Sequence, residues 1–348
     1  MHPSTARRAI AALSKPGQRV LDPFCGSGTV LVEAMAAGRQ ATGVDASPLA
    51  VLIAKVRSTV LGDAGRARLE ATSREIAVLA GERARKRVRP EIPPWAARER
   101  ERFSPHVALE LLGLRELVGQ TEEDEVGYAL RACFSSILVK FMKAPPPEEA
   151  RGETPQRIGR GVPSRFFADR AAELARGLAA LAGKVPSGTP PPRIHLGDAR
   201  KLAHLPDGEL HLVLSSPPYA GTYDYAEHHD VCFRWLGLPR ADFDRAQIGA
   251  RHDGPGSSDQ RWPGDRRRWL GEMGRVVRRG GSVVLVVGDG VVGDEPEDAA
   301  AAIAAAAVPA GLVLVGGASQ ARPPRDRRLA AIFAEHPRRE HALILQAQ

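Results

Sequence analysis

Two runs of residues, far apart in the chain, combine side chains with chemical use. The first is Asp22-Pro23-Phe24-Cys25-Gly26-Ser27-Gly28-Thr29, with Asp45 closing the next apolar segment. Glycine at positions 26 and 28 lets a ligand approach the main chain without meeting a Cβ. A dinucleotide fingerprint would place a third glycine where Leu31 stands, and a P-loop would supply a lysine that this run lacks. Neither a pyrophosphate nor a triphosphate is the expected tenant. A carboxylate at Asp45, about 20 residues on, can accept both hydrogen bonds of a ribose diol. Together these features describe a nucleoside ligand without phosphates.

The second run is Ser216-Pro217-Pro218-Tyr219, which ends the apolar stretch Leu210 to Ser215. Two successive prolines fix φ and cannot donate to a ladder, so they stiffen a turn at the end of a strand. Such rigidity suits work on the exocyclic amine of cytosine or adenine. That amine is a poor nucleophile because its lone pair is delocalised into the ring. Acceptors held beside its two hydrogens favour a pyramidal nitrogen and free the lone pair. The Ser216 hydroxyl and the Pro217 carbonyl are the candidate acceptors. Tyr219 is placed to stack on a base extruded from the helix. Alignment would supply much of the acceleration, with neither a metal nor a covalent intermediate.

These runs need a scaffold that brings them together. Gln18 to Asp22 and Ala41 to Asp45 read as short strands, with helices over Thr29 to Ala37 and Pro48 to Val60. Gly38 is placed to end the first helix and Ser47-Pro48 to start the second. This alternation predicts a parallel sheet with crossover helices. Strand signals then stop. Helical stretches follow near 65–88, 106–119, 124–142 and 165–183, separated by proline-rich breaks. Strands resume at Arg193–Leu196, Leu210–Ser215, Ser282–Val287, Leu312–Val315 and Ala342–Leu345, making seven in all. The alanine-rich tract Asp298 to Ala310 reads as a packing helix. The expected organisation is one α/β domain from residues 1–62 and 190–348, interrupted by a helical insertion over 63–189.

The run DPFCGSGT resembles the cofactor motif of S-adenosylmethionine-dependent amino-directed nucleic-acid methyltransferases, and GVDASP resembles their second motif. SPPY resembles their catalytic motif, an Asp, Asn or Ser followed by two prolines and an aromatic residue. The resemblance covers residues 1–60 and 190–348. It implies an α/β fold with a Rossmann-like seven-stranded methyltransferase sheet and S-adenosylmethionine as cofactor. It places Asp22, Phe24, Gly26, Gly28 and Thr29 around the cofactor, Asp45 on its ribose, and Asp198 near its adenine amine. It makes Ser216, Pro217, Pro218 and Tyr219 the catalytic set. His2-Pro3 resembles a further cofactor-side element of such enzymes. The serine form of the catalytic motif is more frequent among N4-cytosine enzymes, which favours a DNA base over RNA. The tRNA guanosine N2-methyltransferases share the DPFCGSGT wording, and they stand as the alternative beside a non-catalytic binding module.

The remaining signals are broader. Gly221 to Tyr225 follows the catalytic turn and is expected to line the base pocket. His228 and His229 are adjacent, so on a helix they cannot face one metal site; a structural or substrate-facing role is expected. Arg83, Arg85, Lys86, Arg87, Arg89, Arg157, Arg160 and Arg165 give the insertion a basic character that phosphates would complement, although glutamates are interleaved. Arg251 to Arg268 reads as a glycine-containing basic loop placed to close over substrate. Lys and Arg outnumber Asp and Glu by 49 to 41, a balance compatible with a nucleic-acid partner. The three cysteines show no C-x-x-C spacing, which argues against a disulfide framework and a zinc site. No run approaches the ~20 apolar residues of a membrane span and no secretory h-region is present, so a cytoplasmic location is expected.

Overall fold

The computed structural model describes residues 1–143, 158–221, 225–249, 257–293, 295–324 and 327–348. They divide into two compact units, one of Met1–Ser58, Lys184–His229 and Pro239–Gln348, the other of Thr59–Gly183 and Asp230–Leu238.

The first unit is built on a seven-stranded sheet. Its strands are β1 (Arg19–Asp22), β2 (Gln40–Asp45), β3 (Arg193–Leu196), β4 (Leu210–Ser215), β5 (Val277–Gly288), β8 (Leu312–Ala321) and β9 (Arg339–Ala347), in the spatial order β3-β2-β1-β4-β5-β9-β8. β9 runs antiparallel to both neighbours, and the other pairings are parallel. The order reverses beside β1, so the ends of β1 and β4 flank the crevice where ligands bind in open α/β sheets. All seven expected strands are present, and β5, β8 and β9 run longer than their apolar cores suggest. A two-stranded ribbon, β6 (Gly290–Val292) with β7 (Glu295–Glu297), follows β5.

Period-two alternation splits the apolar residues between two layers. Leu212, Leu214 and Val284 pack with Val20, Leu31 and Met35 on one face. Val213, Val283, Leu285, Leu343 and Leu345 pack with Trp269, Leu270, Met273 and Ile303 on the other. The first face is covered by α1 (Pro3–Leu13) and α2 (Thr29–Ala36), with Ala54 from α3 (Pro48–Arg57). The second carries α10 (Ser257–Val276) and α11 (Ala299–Ala307).

Helix α1 has no counterpart among the sequence expectations; His2 caps it, its Nδ1 accepting from Ser4 N at 3.2 Å. Arg7 on α1 makes a two-point bond to Glu33 on α2 (2.9 and 3.2 Å). The expected basic loop also requires correction, because from Ser257 onward it is α10. Trp262, Trp269, Leu270, Met273 and Val276 are all buried, and their spacing puts them on one helical stripe. That burial outweighs the helix break expected of Pro263. Arg266 is tied to Glu297 at 2.6 Å, so it faces the protein. Residues 251–256, the remainder of that expected loop, lie outside the described residues, as do Thr222, Tyr223, Asp224 and Arg157.

The second unit is helical: α4 (Asp63–Arg85), a 3-10 turn (Pro94–Arg100), α5 (Pro105–Gly119), α6 (Glu125–Phe141) and α7 (Val162–Ala182). Its centre is Trp235, from α8 (Tyr225–Leu236), whose ring meets Trp95, Phe103 and Phe134 at centroid distances of 5.5, 5.4 and 6.1 Å. The indole N–H donates to Glu99 Oε2 at 3.1 Å, and Arg234 pairs with the other oxygen at 2.7 Å. A carboxylate this buried is acceptable because both oxygens are satisfied.

Candidate active site

The C-terminal end of β1 enters the glycine run directly. Gly28 adopts φ +76°, and a Cβ on it would lie 3.1 Å from Ala54 Cα. Only a residue without a side chain both turns the chain there and lets α2 begin so close to α3. Cys25 N donates to Val44 O at 3.0 Å and Gly26 N to Asp45 Oδ2 at 2.8 Å. These bonds tie the turn after β1 to the end of β2. The other Asp45 oxygen accepts from Ser47 N at 2.9 Å. Each oxygen then keeps capacity for one further donor.

Asp22 is 4% exposed and is the acceptor for Ser215 Oγ at 2.6 Å and for Phe24 N at 3.2 Å. Burial drives its carboxyl up to about 7, with the two hydrogen bonds opposing. Burial likewise raises Asp45. Both carboxyls sit where an arriving positive charge would stabilise their ionised forms. Asp198 is held by Arg200 through Nε and Nη2, at 3.0 and 2.7 Å, and the same guanidinium reaches Asp265 at 2.9 Å.

One cavity of about 430 Å³ joins these residues. Asp22, Phe24, Gly26, Thr29, Asp45 and Asp198 line it, together with Ser216 and Pro218 from the second run. The two runs named from sequence therefore meet at one rim. Gly28 does not line the cavity. Pro217 and Tyr219 border a second cavity of about 650 Å³, with Gly288, Arg322, Arg338, Arg339 and Glu340. Ser216, Tyr225 and His229 border both.

Tyr219 is fixed from two sides. Its ring lies against Gly288, where a Cβ would come within 2.6 Å of Cε2, and its hydroxyl donates to Glu340 Oε1 at 3.1 Å. Burial, and after it the Glu340 charge, pushes the phenol up to about 12, so it remains a donor. Burial raises Glu340, but bonds from Arg322 (2.7 Å) and Gln320 (3.0 Å) outweigh it and the net direction is down.

Arg322, Arg338, Arg339 and Glu340 are not among the residues expected from sequence. Their signal was available in Arg338-Arg339-Glu340 at the entry to a strand. Because β9 is antiparallel, its first residues stand at the rim where β5 ends. His229 was expected to be structural or substrate-facing, and it borders both cavities.

Residues 3–56 match the family model described as DNA methylase, the N6/N4 methyltransferases. This segment carries β1, the glycine run and β2, so the resemblance to that family rests on the part of the chain that builds the smaller cavity. No curated protein matches its sequence. Among solved structures, TrmN from Thermus thermophilus is 12% identical with a TM-score of 0.39; the match covers 100% of this chain and 49% of that one, so this chain spans about half that protein's length. Geranyl diphosphate C-methyltransferase from Streptomyces coelicolor A3(2) is 8% identical with a TM-score of 0.39, over 99% of this chain and 80% of that one. A candidate DNA modification methylase, also from Thermus thermophilus, is 23% identical with a TM-score of 0.26, over 43% of this chain and 50% of that one.

The residues that line the smaller cavity fit S-adenosylmethionine. The smaller cavity presents three aspartates, and no lysine or arginine borders it among the described residues. That lining suits a ligand carrying a sulfonium and an ammonium and no phosphate. Phe24, Leu49, Ile53 and Ile248, with Phe243 from the short helix α9 (Ala241–Ala246), supply the apolar remainder, as a nucleoside ring requires. No helix among the described residues is long and apolar enough to cross a membrane.

Proposed function

We propose that this chain is an S-adenosylmethionine-dependent methyltransferase that acts on an exocyclic amino nitrogen of a DNA base, cytosine N4 or adenine N6. The observation that carries the reading is the position of Ser216: it borders the aspartate-lined cavity and the neighbouring cavity at once. A group fixed there touches both the donor and the acceptor.

The cofactor supplies an electrophilic methyl group when bound. Asp22 would face its cationic portion and Asp45 would accept from its ribose hydroxyls. Phe24, Gly26 and Thr29 would complete that wall. Asp198 would receive the adenine amine as a further donor beside Arg200. On the other side, the Ser216 hydroxyl and the Pro217 carbonyl would accept from the two hydrogens of the substrate amine. Pro218 would keep the turn rigid, and Tyr219, fixed between Gly288 and Glu340, would provide a flat wall for an extruded base. One amine proton is lost to solvent over the reaction. Holding the amine at the shared wall is an effect of alignment.

A second reading is methylation of guanosine N2 in tRNA, favoured by the wording of the run at residues 22–29. Incubation with isotope-labelled cofactor and separate pools of DNA and tRNA, followed by nucleoside analysis, decides between them. Label in N4-methylcytosine or N6-methyladenine supports the proposal. Label in N2-methylguanosine alone, or in neither pool, overturns it.

A further inference from the structure

We infer that the helical unit contains a binding site for a phosphoryl anion, separate from the methyl-transfer site. The cavity lies between two helical faces. Ala80, Arg83 and Ala84 recur at helical spacing along the end of α4, with Arg87 just beyond it, and His106, Leu109, Glu110, Gly113 and Glu116 recur along α5. Residues 88–91 and Arg160 close its sides, and the enclosed volume is about 570 Å³.

Its charges are arranged unevenly. Glu110 is turned to the backbone, accepting from Gly161 N at 2.8 Å and from Ser164 N and Oγ at 2.9 and 2.6 Å. Glu116 is paired with Arg83 at 3.1 Å. Arg87, Arg89 and Arg160 have no ion pair among the described residues, and Glu91 is the one lining carboxylate left to oppose them. Three guanidinium groups around one concavity match a multiply charged anion whose oxygens accept several charge-assisted bonds from different directions, as a phosphate's do.

The backbone provides a second, independent sign. α4 ends in a Schellman arrangement, with Arg87 N bonded to Ala84 O (3.3 Å) and Val88 N to Arg83 O (2.9 Å). The left-handed position of that cap, φ +58°, is held by Arg87, the one described residue other than glycine with positive φ. Glycine relieves the strain at such a position. Retaining arginine there places its guanidinium at the cavity, and strain of this kind collects at binding sites. Gly113 forms open floor, since a Cβ built on it meets nothing within 4 Å.

The phosphoryl group has two possible sources, a nucleic-acid strand or a free phosphorylated compound. The site does not depend on the reaction proposed above, and its test involves no methyl transfer. Binding of inorganic pyrophosphate is measured by calorimetry on the full chain, and binding of a labelled 20-nucleotide DNA or RNA strand by anisotropy over a salt series. The triple variant Arg87→Glu, Arg89→Glu, Arg160→Glu is expected to bind pyrophosphate at least about tenfold more weakly. If the strand occupies the site, its salt slope falls by roughly 2–3 as three phosphate contacts are lost. Gly113→Leu, which fills the floor without altering charge, is expected to weaken pyrophosphate binding in the same direction. Far-UV circular dichroism and a urea unfolding transition matching wild type show that the helical unit of both variants is folded. Loss for pyrophosphate and strand together assigns the site to nucleic-acid phosphates, and loss for pyrophosphate alone assigns it to a free compound. Equal affinities in wild type and both variants overturn the inference.

Discussion

The two cavities of the α/β unit share Ser216, Tyr225 and His229, yet their charges are opposite. Among the described residues, the smaller is bordered by Asp22, Asp45 and Asp198 without a lysine or arginine, and the larger by Arg322, Arg338 and Arg339 against the single carboxylate of Glu340. Neighbouring sites can therefore sort a cationic donor from a polyanionic acceptor by the sign of their walls, before any fine contact is made. The strand order explains how. The carboxylates end parallel strands or follow them, whereas the arginines enter from the antiparallel β9 and the end of β8. The following variants break or sharpen that contrast.

The largest effect is expected at Asp22. Its folded value near 7 lies above the ordinary 3.8, so the stability its neutral form contributes is fully present below pH ~4 and is lost as pH rises through about 7. Asp22→Asn stays neutral throughout. Urea unfolding of the free protein between pH 4 and 8 should show wild type losing stability relative to Asp22→Asn, by up to about 4 kcal/mol for a shift of this size. Saturating S-adenosylmethionine should reduce that loss, because a cation at the cavity favours the carboxylate. A pH-independent difference between the two proteins would mean that Asp22 is ionised throughout and that the cavity makes no demand for positive charge.

Ser216→Ala removes one proposed acceptor at the wall shared by both cavities. Turnover should fall roughly 10²–10³-fold, the range found when a single preorganised polar group at a reacting centre is deleted. Cofactor affinity by calorimetry should stay within a few-fold of wild type. Turnover that survives intact would detach the serine from the chemistry.

Asp45→Ala should act on one side alone. Loss of two charge-assisted hydrogen bonds to a ribose weakens cofactor binding by about 1–3 kcal/mol. Because Asp45 also holds Gly26 N and Ser47 N, Asp45→Asn provides the control, since its amide oxygen can keep one of those backbone bonds. If the alanine variant binds as tightly as wild type, Asp45 braces the loop and does not touch the ligand.

How much of this was legible in the sequence follows from the range of the interactions. The seven strands, the cofactor run and the Ser-Pro-Pro-Tyr turn are written in local pattern, and the α4 to α7 helices are marked by proline-rich breaks. The aspartate-lined cavity could be foreseen because its acids stand at strand ends. The arginine-lined one could not, since Glu340 reaches Tyr219 through the antiparallel pairing of β9 with β5 and Arg322 reaches Glu340 through that of β8 with β9, which no local signal fixes. Helix α10 was hidden for a different reason. Pro263 and its flanking glycines mimic a loop, while the deciding force is burial of Trp262 and Trp269.

The smallest effect tests the larger cavity alone. Tyr219 is pinned by its hydroxyl at Glu340 and by its ring at Gly288, and the second contact is steric, with a Cβ at Gly288 lying 2.6 Å from Cε2 and 2.8 Å from Cδ2. The half-buried ring is tethered at its hydroxyl, so Gly288→Ala should tilt it away from its wall. Methyl transfer should drop about tenfold, in keeping with the loss that follows misplacement of a positioning group, and the drop should lie in the Michaelis constant for nucleic acid. Cofactor affinity should be unaltered, because neither Gly288 nor Tyr219 borders the aspartate cavity. Tyr219→Phe separates the two restraints, since it keeps the ring against Gly288 and removes only the bond to Glu340. A smaller loss in Tyr219→Phe than in Gly288→Ala would identify the ring plane as what the base meets, and the reverse order would assign recognition to the hydroxyl and its carboxylate.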